Sequence, residues 1–299
     1  MGATRFAPAK VNLFLHVGDR HADGFHDLKS LVVFADVGDR LTFTSSSRGG
    51  GEYALELTGP HASGLGSGDE NLVVTAARKL SAWAGRHHHS VPRSGIISLE
   101  KNLPVASGLG GGSSDAAAAL LLLAAHWSLP ISFEDLDTIA REIGSDVPVC
   151  LRASPSWMSG LGETIEAAPP LPTLFLVLVN PMVPVSTAAV FKSLQVRSGA
   201  FAPPWPSRNP ELREFAAWLD RTSNDLSAPA RQIAPVIMEV ECALTATGNC
   251  LLARMSGSGA TCFGIYPTAE AATEASGQIR RVHAHWWVNA CKVYDSVAS

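Results

Sequence analysis

Residues 5–17, RFAPAKVNLFLHV, alternate so that Lys10, Asn12 and Phe14 share one face and Val11, Leu13 and Leu15 the other. A period of two marks a strand with one buried and one working face. Strand-like runs recur at 30–36, 39–44 and 53–58, and a short one at 96–100. Among them lie Gly- and Ser-rich turns at 45–51 and 59–69 and a helical pattern over 71–84. From about 113 to 127 alanines and leucines leave almost no polar face, which predicts a central, buried helix. After Pro130, Ser132 with Asp135 three residues on reads as an N-cap, opening a helix to about Ile143. IGSDVPVCL then reads as a return to strand.

The texture changes near 152–160. The second half carries an apolar strand (TLFLVLVN, 173–180), a helix near 186–195 and a Pro-rich stretch, AFAPPWPSRNP (200–210), with the makings of a mobile loop. Helices near 211–221 and 228–246, a strand pair around 251–266, a helix at 269–281 and a strand at 286–294 follow. Strands and helices alternate irregularly, which favours an α+β fold over a doubly wound sheet. A chain of 299 residues, 46% of them apolar, can bury two modest cores, so two domains are expected, 1–155 and 156–299.

Charge narrows the function. The formal net charge is -4 and the basic residues are scattered, so the sequence carries no footprint of nucleic acid or of an anionic membrane. Cys150, Cys242, Cys250, Cys262 and Cys291 are odd in number and widely spaced, with no CxxC pair, which fits a reducing cytosol better than a disulfide framework or a zinc site. The start, MGATRFAPAK, turns to charge by residue 5 and lacks the apolar core of a signal peptide; Met-Gly alone does not imply myristoylation. The longest apolar run, 116–125, is half of what a bilayer needs. These readings give a soluble, cytoplasmic protein.

The densest chemistry lies at SGLGGGSS, 107–114, with Asp115 after it. A Walker A loop would need lysine after Gly112, and the dinucleotide fingerprint would need glycine at 113 followed by a second parallel strand. Ser113 stands there and another helix follows, so both fail. What survives is their shared physics: glycines let several N–H groups approach an anion, and a helix start adds a positive dipole end. A flexible or tightly packed turn is the bland alternative.

LPVASGLGGGSSDAA (103–117) resembles the phosphate-binding motif of the GHMP kinases, a superfamily of small-molecule kinases. APAKVNLFLHV (7–17) resembles their N-terminal motif and RMSGSGATCFGIY (254–266) their glycine-rich C-terminal one. Within the superfamily, AKVNLFL (9–15), DGFHDLKSL (23–31), IGSDVPV (143–149), SGLGET (159–164) and SNDL (223–226) resemble the branch that phosphorylates a cytidine-diphosphate sugar alcohol of the non-mevalonate isoprenoid route. Phe25 and Asp27 depart from that branch, where tyrosine and asparagine are usual; the ring is kept, but the phenol hydroxyl and the amide are lost.

The resemblance implies a two-domain GHMP-kinase fold, an N-terminal mixed-sheet domain and a C-terminal ferredoxin-like one, with both ligands in the cleft between. It implies transfer of the γ-phosphate of ATP to the 2-hydroxyl of 4-diphosphocytidyl-2-C-methyl-D-erythritol. Phosphoryl transfer to an alcohol needs positioning, charge stabilisation and a group to take the hydroxyl proton. By resemblance Asp146 is that base, and Lys10 holds its carboxylate and stabilises developing charge; position alone also allows a cap aspartate and an edge-strand lysine. Pro104, Val105, Ala106, Ser107, Gly108, Leu109, Gly110, Gly111, Gly112, Ser113 and Ser114 would hold the ATP phosphates, with Asn71, Leu72 and Lys101 on the adenosine side. Phe25 and Phe191 would sandwich the cytosine and His26 would read its edge, with Asn12 and Thr187 making further polar contacts. Mg2+ is required by the chemistry, held largely by phosphates and water in the absence of an obvious acidic pair.

Other features read more plainly. His87-His88-His89 is a polar loop rather than a metal site, since three adjacent side chains do not converge on one ion. Gly257-Ser258-Gly259 reads as a packing turn close to the phosphates, and the seven tryptophans are dispersed and read as packing. Two other functions compete: a GHMP kinase with another acceptor, which the GFHD segment disfavours, and a catalytically silent nucleotide-binding protein, which the retention of Lys10 and Asp146 disfavours.

Overall fold

The computed structural model describes residues 4–22, 24–45, 53–68, 70–91 and 94–294. The Met-Gly start, Asp23 of the 23–31 segment, residue 69 and the Gly/Ser-rich turn from 46 onward lie outside them. Two compact units interleave along the sequence: one takes residues 1–9, 38–105 and 110–152, the other 10–37, 106–109 and 153–299.

Two long strands, β1 (Thr4–Arg20) and β2 (His26–Ser45), pair and run through both units. The sequence pattern predicts two strands in place of β2, with a break at VGD. The strand continues because Gly38 lies against the backbone of Ala7, where a Cβ would meet the Ala7 carbonyl carbon at 2.8 Å. Only a residue without a side chain tolerates that approach.

In the first unit β4 (Gly95–Glu100) lies between β3 (Tyr53–Thr58), parallel to it, and residues 40–45 of β2, antiparallel. Helices α1 (Leu72–Arg86), α2 (Gly111–His126), α3 (Phe133–Arg141) and α4 (Val147–Arg152) complete it, α2 packing on α1 and α4. Ala116, Ala117, Leu120 and Leu123 on α2 are buried, as an all-round apolar helix must be. Ser132 caps α3 by accepting from Asp135 N. Residues 147–152 are helical, not the predicted strand. Val147 and Pro148 occupy the first turn, where proline's missing N–H costs nothing, and the Asp146 carbonyl accepts from Cys150 N at 3.2 Å.

In the second unit SGLGET is the turn of an antiparallel hairpin, β5 (Ser156–Gly160) and β6 (Thr164–Ala167), which the sequence pattern did not resolve into strands. β5 pairs with residues 28–32 of β2. A second sheet is antiparallel in the order β10 (Trp287–Lys292), β7 (Phe175–Asn180), β9 (Cys262–Tyr266), β8 (Leu252–Met255). With α8 (Val236–Thr245) and α9 (Ala269–Val282) as crossovers this is the ferredoxin-like arrangement. Val177, Val179, Ile237, Val240, Cys262 and Ile279 close its core. Shorter helices α5 (Thr187–Lys192), α6 (Leu212–Asp220) and α7 (Ser227–Ile233) precede α8. The single helix predicted over 228–246 is broken at Ala234, extended at φ -133° and ψ 84°, because it precedes Pro235. All five cysteines are free thiols, and among the described residues no helix is long and apolar enough to cross a membrane.

Candidate functional site

The glycine-rich loop turns on three residues of positive φ, Ala106 (51°), Gly108 (77°) and Gly110 (62°). Alternating handedness turns successive N–H groups toward one side, a nest for an anion. Gly110 is also the N-cap of α2 and brings no side chain to cap it. The first helical bond runs from Ser114 N to Gly110 O, so the N–H groups of 111–113 have no acceptor inside the helix. Those N–H groups and the helix dipole make the loop attractive to phosphate. The Ser114 hydroxyl is committed elsewhere: it is buried and donates to Pro8 O at 2.7 Å, fastening α2 to the start of β1.

Residues 106–109 are wedged between β1 and the turn after β8. Lys10 N donates to Leu109 O at 2.8 Å and Thr261 N to Ser107 O at 3.0 Å. A Cβ on Gly108 would stand 2.9 Å from Gly259 O, besides its left-handed φ. Lys10 is 4% exposed, so a buried lysine is joined through its backbone directly to the glycine-rich loop. Asn12 continues the pattern: its N–H donates to Ser256 Oγ (3.0 Å), and the Ser256 hydroxyl donates to Gly108 O (3.0 Å).

Beneath the start of α2, the Lys101 ammonium is held by Asp39 and by Asp115, the latter at 2.7 Å, and all three are buried. Asp39 also accepts from Asn102 N and Leu103 N. Burial pushes the Asp115 carboxyl up to about 8, with Asp39 adding to it and Lys101 opposing it. Burial works against the Lys101 charge, but Asp115 and Asp39 raise its pKa above the ordinary range. Of the residues expected on the adenosine side, Lys101 therefore braces the loop. Asn71 caps α1, accepting from Val73 N and donating to Gly66 O at 2.9 Å. Leu72 borders Gly112, its Cδ1 3.9 Å from where a Cβ there would stand.

At the expected nucleobase end, His26 stacks on Phe191 of α5, ring centroids 5.7 Å apart at 28°, and the neighbouring Phe25 is 63% exposed. Burial, then the Arg197, Arg20 and His21 charges, lower the His26 pKa, keeping one ring nitrogen as an acceptor. Asp27, where the branch carries asparagine, pairs with His21 at 3.0 Å. Thr187 Oγ1 lies 2.7 Å from Ser258 Oγ. Asp146 is half-buried in the turn that opens α4, not at a helix-to-strand junction as its sequence context suggested. Within the second unit, Thr187 is thus brought to Ser258 from 71 positions away in sequence.

Several supporting residues escaped the sequence reading. Asn224 of SNDL donates to Met255 O and Gly257 O, both at 2.8 Å, tying down the C-terminal glycine turn. Asp225 accepts from Val17 N, Ser198 N and two serine hydroxyls. Arg254 is buried and makes no ion pair among the described residues; it donates to Leu13 O, Leu219 O, Thr222 O and Thr222 Oγ1, while Asp220 and Glu241 act on it from farther off. SNDL and the arginine of RMSGSG were visible as motif residues, but nothing in them announced these partners. His87 stacks on Trp83 at 4.2 Å and its Nδ1 lies 2.9 Å from Trp83 O.

Residues 71–154 match the family model of the GHMP kinases N terminal domain, and residues 208–285 that of the GHMP kinases C terminal region. The chain is 48% identical over 284 residues to the 4-diphosphocytidyl-2-C-methyl-D-erythritol kinase of Paramagnetospirillum magneticum, covering 94% of this chain and 95% of that one. A solved 4-(cytidine 5'-diphospho)-2C-methyl-D-erythritol kinase matches with TM-score 0.73 at 32% identity, over 97% of this chain and 99% of that one. Homoserine kinase from Cytophaga hutchinsonii matches with TM-score 0.70 at 17% identity, over 98% and 95%, which is a likeness of fold.

Proposed function

The chain belongs to the 4-diphosphocytidyl-2-C-methyl-D-erythritol kinases of the GHMP superfamily, and on that premise we propose that it moves the γ-phosphate of ATP to the 2-hydroxyl of that alcohol. The observation that carries this reading is the bond from Lys10 N to Leu109 O, which joins a buried lysine to an anion-binding nest.

In this reading the N–H groups of the nest and of the first turn of α2 bind the ATP phosphates and orient the γ-phosphate. Mg2+, when bound with the nucleotide, would offset the charge of those phosphates. Among the described residues no cluster of acidic, cysteine or histidine side chains is built to cage a metal, which fits an ion that arrives with the nucleotide. Asp146 accepts the proton of the acceptor hydroxyl, and the Lys10 ammonium stabilises the charge that develops on the oxygen. Phe25, Phe191 and His26 hold the cytosine by stacking and by an edge hydrogen bond.

ADP release measured with 4-diphosphocytidyl-2-C-methyl-D-erythritol, homoserine, mevalonate and galactose tests the assignment. Turnover is expected with the first; turnover only with another alcohol would sink it. Asp146→Asn is expected to lose about 10²–10⁴ in kcat while ATP still binds. Turnover near that of the unmodified enzyme would remove Asp146 from the base role.

A further inference from the structure

Asn12 and Ser30 are 3% and 2% exposed, on β1 and β2. Asn12 Nδ2 donates to Ser30 Oγ at 2.8 Å, and the Ser30 hydroxyl donates to Phe14 O at 2.6 Å. A backbone carbonyl only accepts, so the Ser30 proton is spent on Phe14 and its oxygen has only lone pairs to offer Asn12. That settles the amide: its NH2 faces Ser30 and its Oδ1 faces away. On the other side the same logic exhausts Ser256, whose proton goes to Gly108 O while its oxygen accepts from Asn12 N.

Asn12 Oδ1 is thus a fully buried acceptor with no donor among the described residues. Buried acceptors are nearly always satisfied, so one without a donor calls for an explanation. It stands 3.5 Å from where a Cβ on Gly257 would lie, beside the turn that also touches Gly108 of the phosphate loop. It is two residues from Lys10 on the same strand face. A phosphate oxygen cannot satisfy it, because both would be acceptors; a hydroxyl can.

We propose that Ser30 is a positioning residue: by fixing the Asn12 amide with its oxygen turned away, it dedicates Asn12 to accepting a hydrogen bond from a hydroxyl of the substrate's polyol chain. The inference rests on the acceptor assignment above. Ser30 touches no ligand in this scheme and acts only through Asn12. Its removal frees the amide to rotate and present NH2 where the hydroxyl needs an acceptor.

A double-mutant cycle over Ser30→Ala and Asn12→Ala tests it, read as kcat/KM for 4-diphosphocytidyl-2-C-methyl-D-erythritol, KM for ATP and the Kd of CDP, which lacks the polyol. Ser30→Ala is expected to lose about tenfold in kcat/KM while leaving KM for ATP and CDP binding within about twofold. In the Asn12→Ala background the same change is expected to cost no more than about twofold, and Ser30→Thr, which keeps the hydroxyl, to restore activity. An equal loss in both backgrounds, a parallel weakening of ATP and CDP, or unchanged kcat/KM in Ser30→Ala would overturn the proposal. If Ser30→Ala does not fold, Ser30→Cys replaces it, since a thiol holds Phe14 O too weakly to fix the amide; Cys and Thr variants of equal activity would overturn the proposal as well. If the unmodified enzyme turns over only a different alcohol, the acceptor assignment falls and the cycle is read on that alcohol.

Discussion

His26 holds two kinds of information in one ring, its stack on Phe191 and the charges of Arg197, Arg20 and His21 around it. Because burial and those charges lower its pKa, the neutral form that can accept a hydrogen bond persists below the ordinary value of 6.5. KM for the cytidylyl substrate is therefore expected to stay flat as pH falls to 6.5 and to rise only below it, an inflection that His26→Gln abolishes. An inflection at or above 6.5 would contradict this. Phe25→Ala is expected to raise that KM about two- to tenfold through lost stacking, with KM for ATP unchanged; equal weakening of both ligands would misplace the ring. At this scale the sequence was informative about residue types and poor about partners. Lys101 shows the limit: its ammonium is taken by Asp39 and Asp115, 62 and 14 positions away, and no local pattern announces such a triad.

Elements carry the loop. Gly108 combines φ 77° with the close approach of Gly259, so Gly108→Ala costs about 1–2 kcal/mol from the left-handed backbone alone. The larger consequence is expected in KM for ATP, since residues 106–109 must shift off β1; an unchanged KM would show that the nest does not bind the phosphates. The Pro-rich stretch 200–210 reads as mobile from composition but is held at several points. Trp218 Nε1 donates to Pro204 O at 2.8 Å, and Trp205 packs on Trp218, Trp157 and Phe215. His16 Nε2 accepts from Ser223 N, which leaves the ring proton on Nδ1 to donate to Phe201 O at 2.6 Å. His16→Ala strands Ser223 N and Phe201 O in a buried place, so it is expected to lower the thermal transition and to expose this stretch to proteolysis, which limited digestion with mass spectrometry checks. Three of the seven tryptophans, Trp157, Trp205 and Trp218, meet here because strand and helix packing brings Trp157 and Trp218 to the same place. The helix at 147–152 eluded the reading for a related reason: alternation in a six-residue apolar run does not separate buried helix from strand.

For the molecule as a whole, two buried ionisable groups set expectations for stability. Arg254 ties β1 to the end of α6 through three carbonyls and a hydroxyl, and burial lowers its pKa to about 10, so it remains charged at neutral pH. Arg254→Met strands those acceptors and is expected to cost about 2–4 kcal/mol in urea unfolding. Asp115, raised from 3.8 to about 8 by burial, keeps a proton in the folded state that the unfolded chain releases. Its contribution to stability is full below its unfolded pKa of 3.8, declines as pH rises toward about 8 and is level beyond. Asp115→Asn should flatten that part of the pH–stability curve, and an unchanged slope between pH 5 and 8 would mean that the carboxyl is ionised throughout. By itself the sequence determined the α+β class, most elements, the place of the glycine-rich turn and the family, because periodicity, turn residues and contiguous motifs are local properties of the chain. Only the tertiary structure decided which residues serve the loop: the bracing of Lys101, the committed hydroxyl of Ser114, the fixed amide of Asn12. Hydrogen-bond partners and burial are set by neighbours distant in sequence, and a side chain's free donors and acceptors are known only once those neighbours are in place.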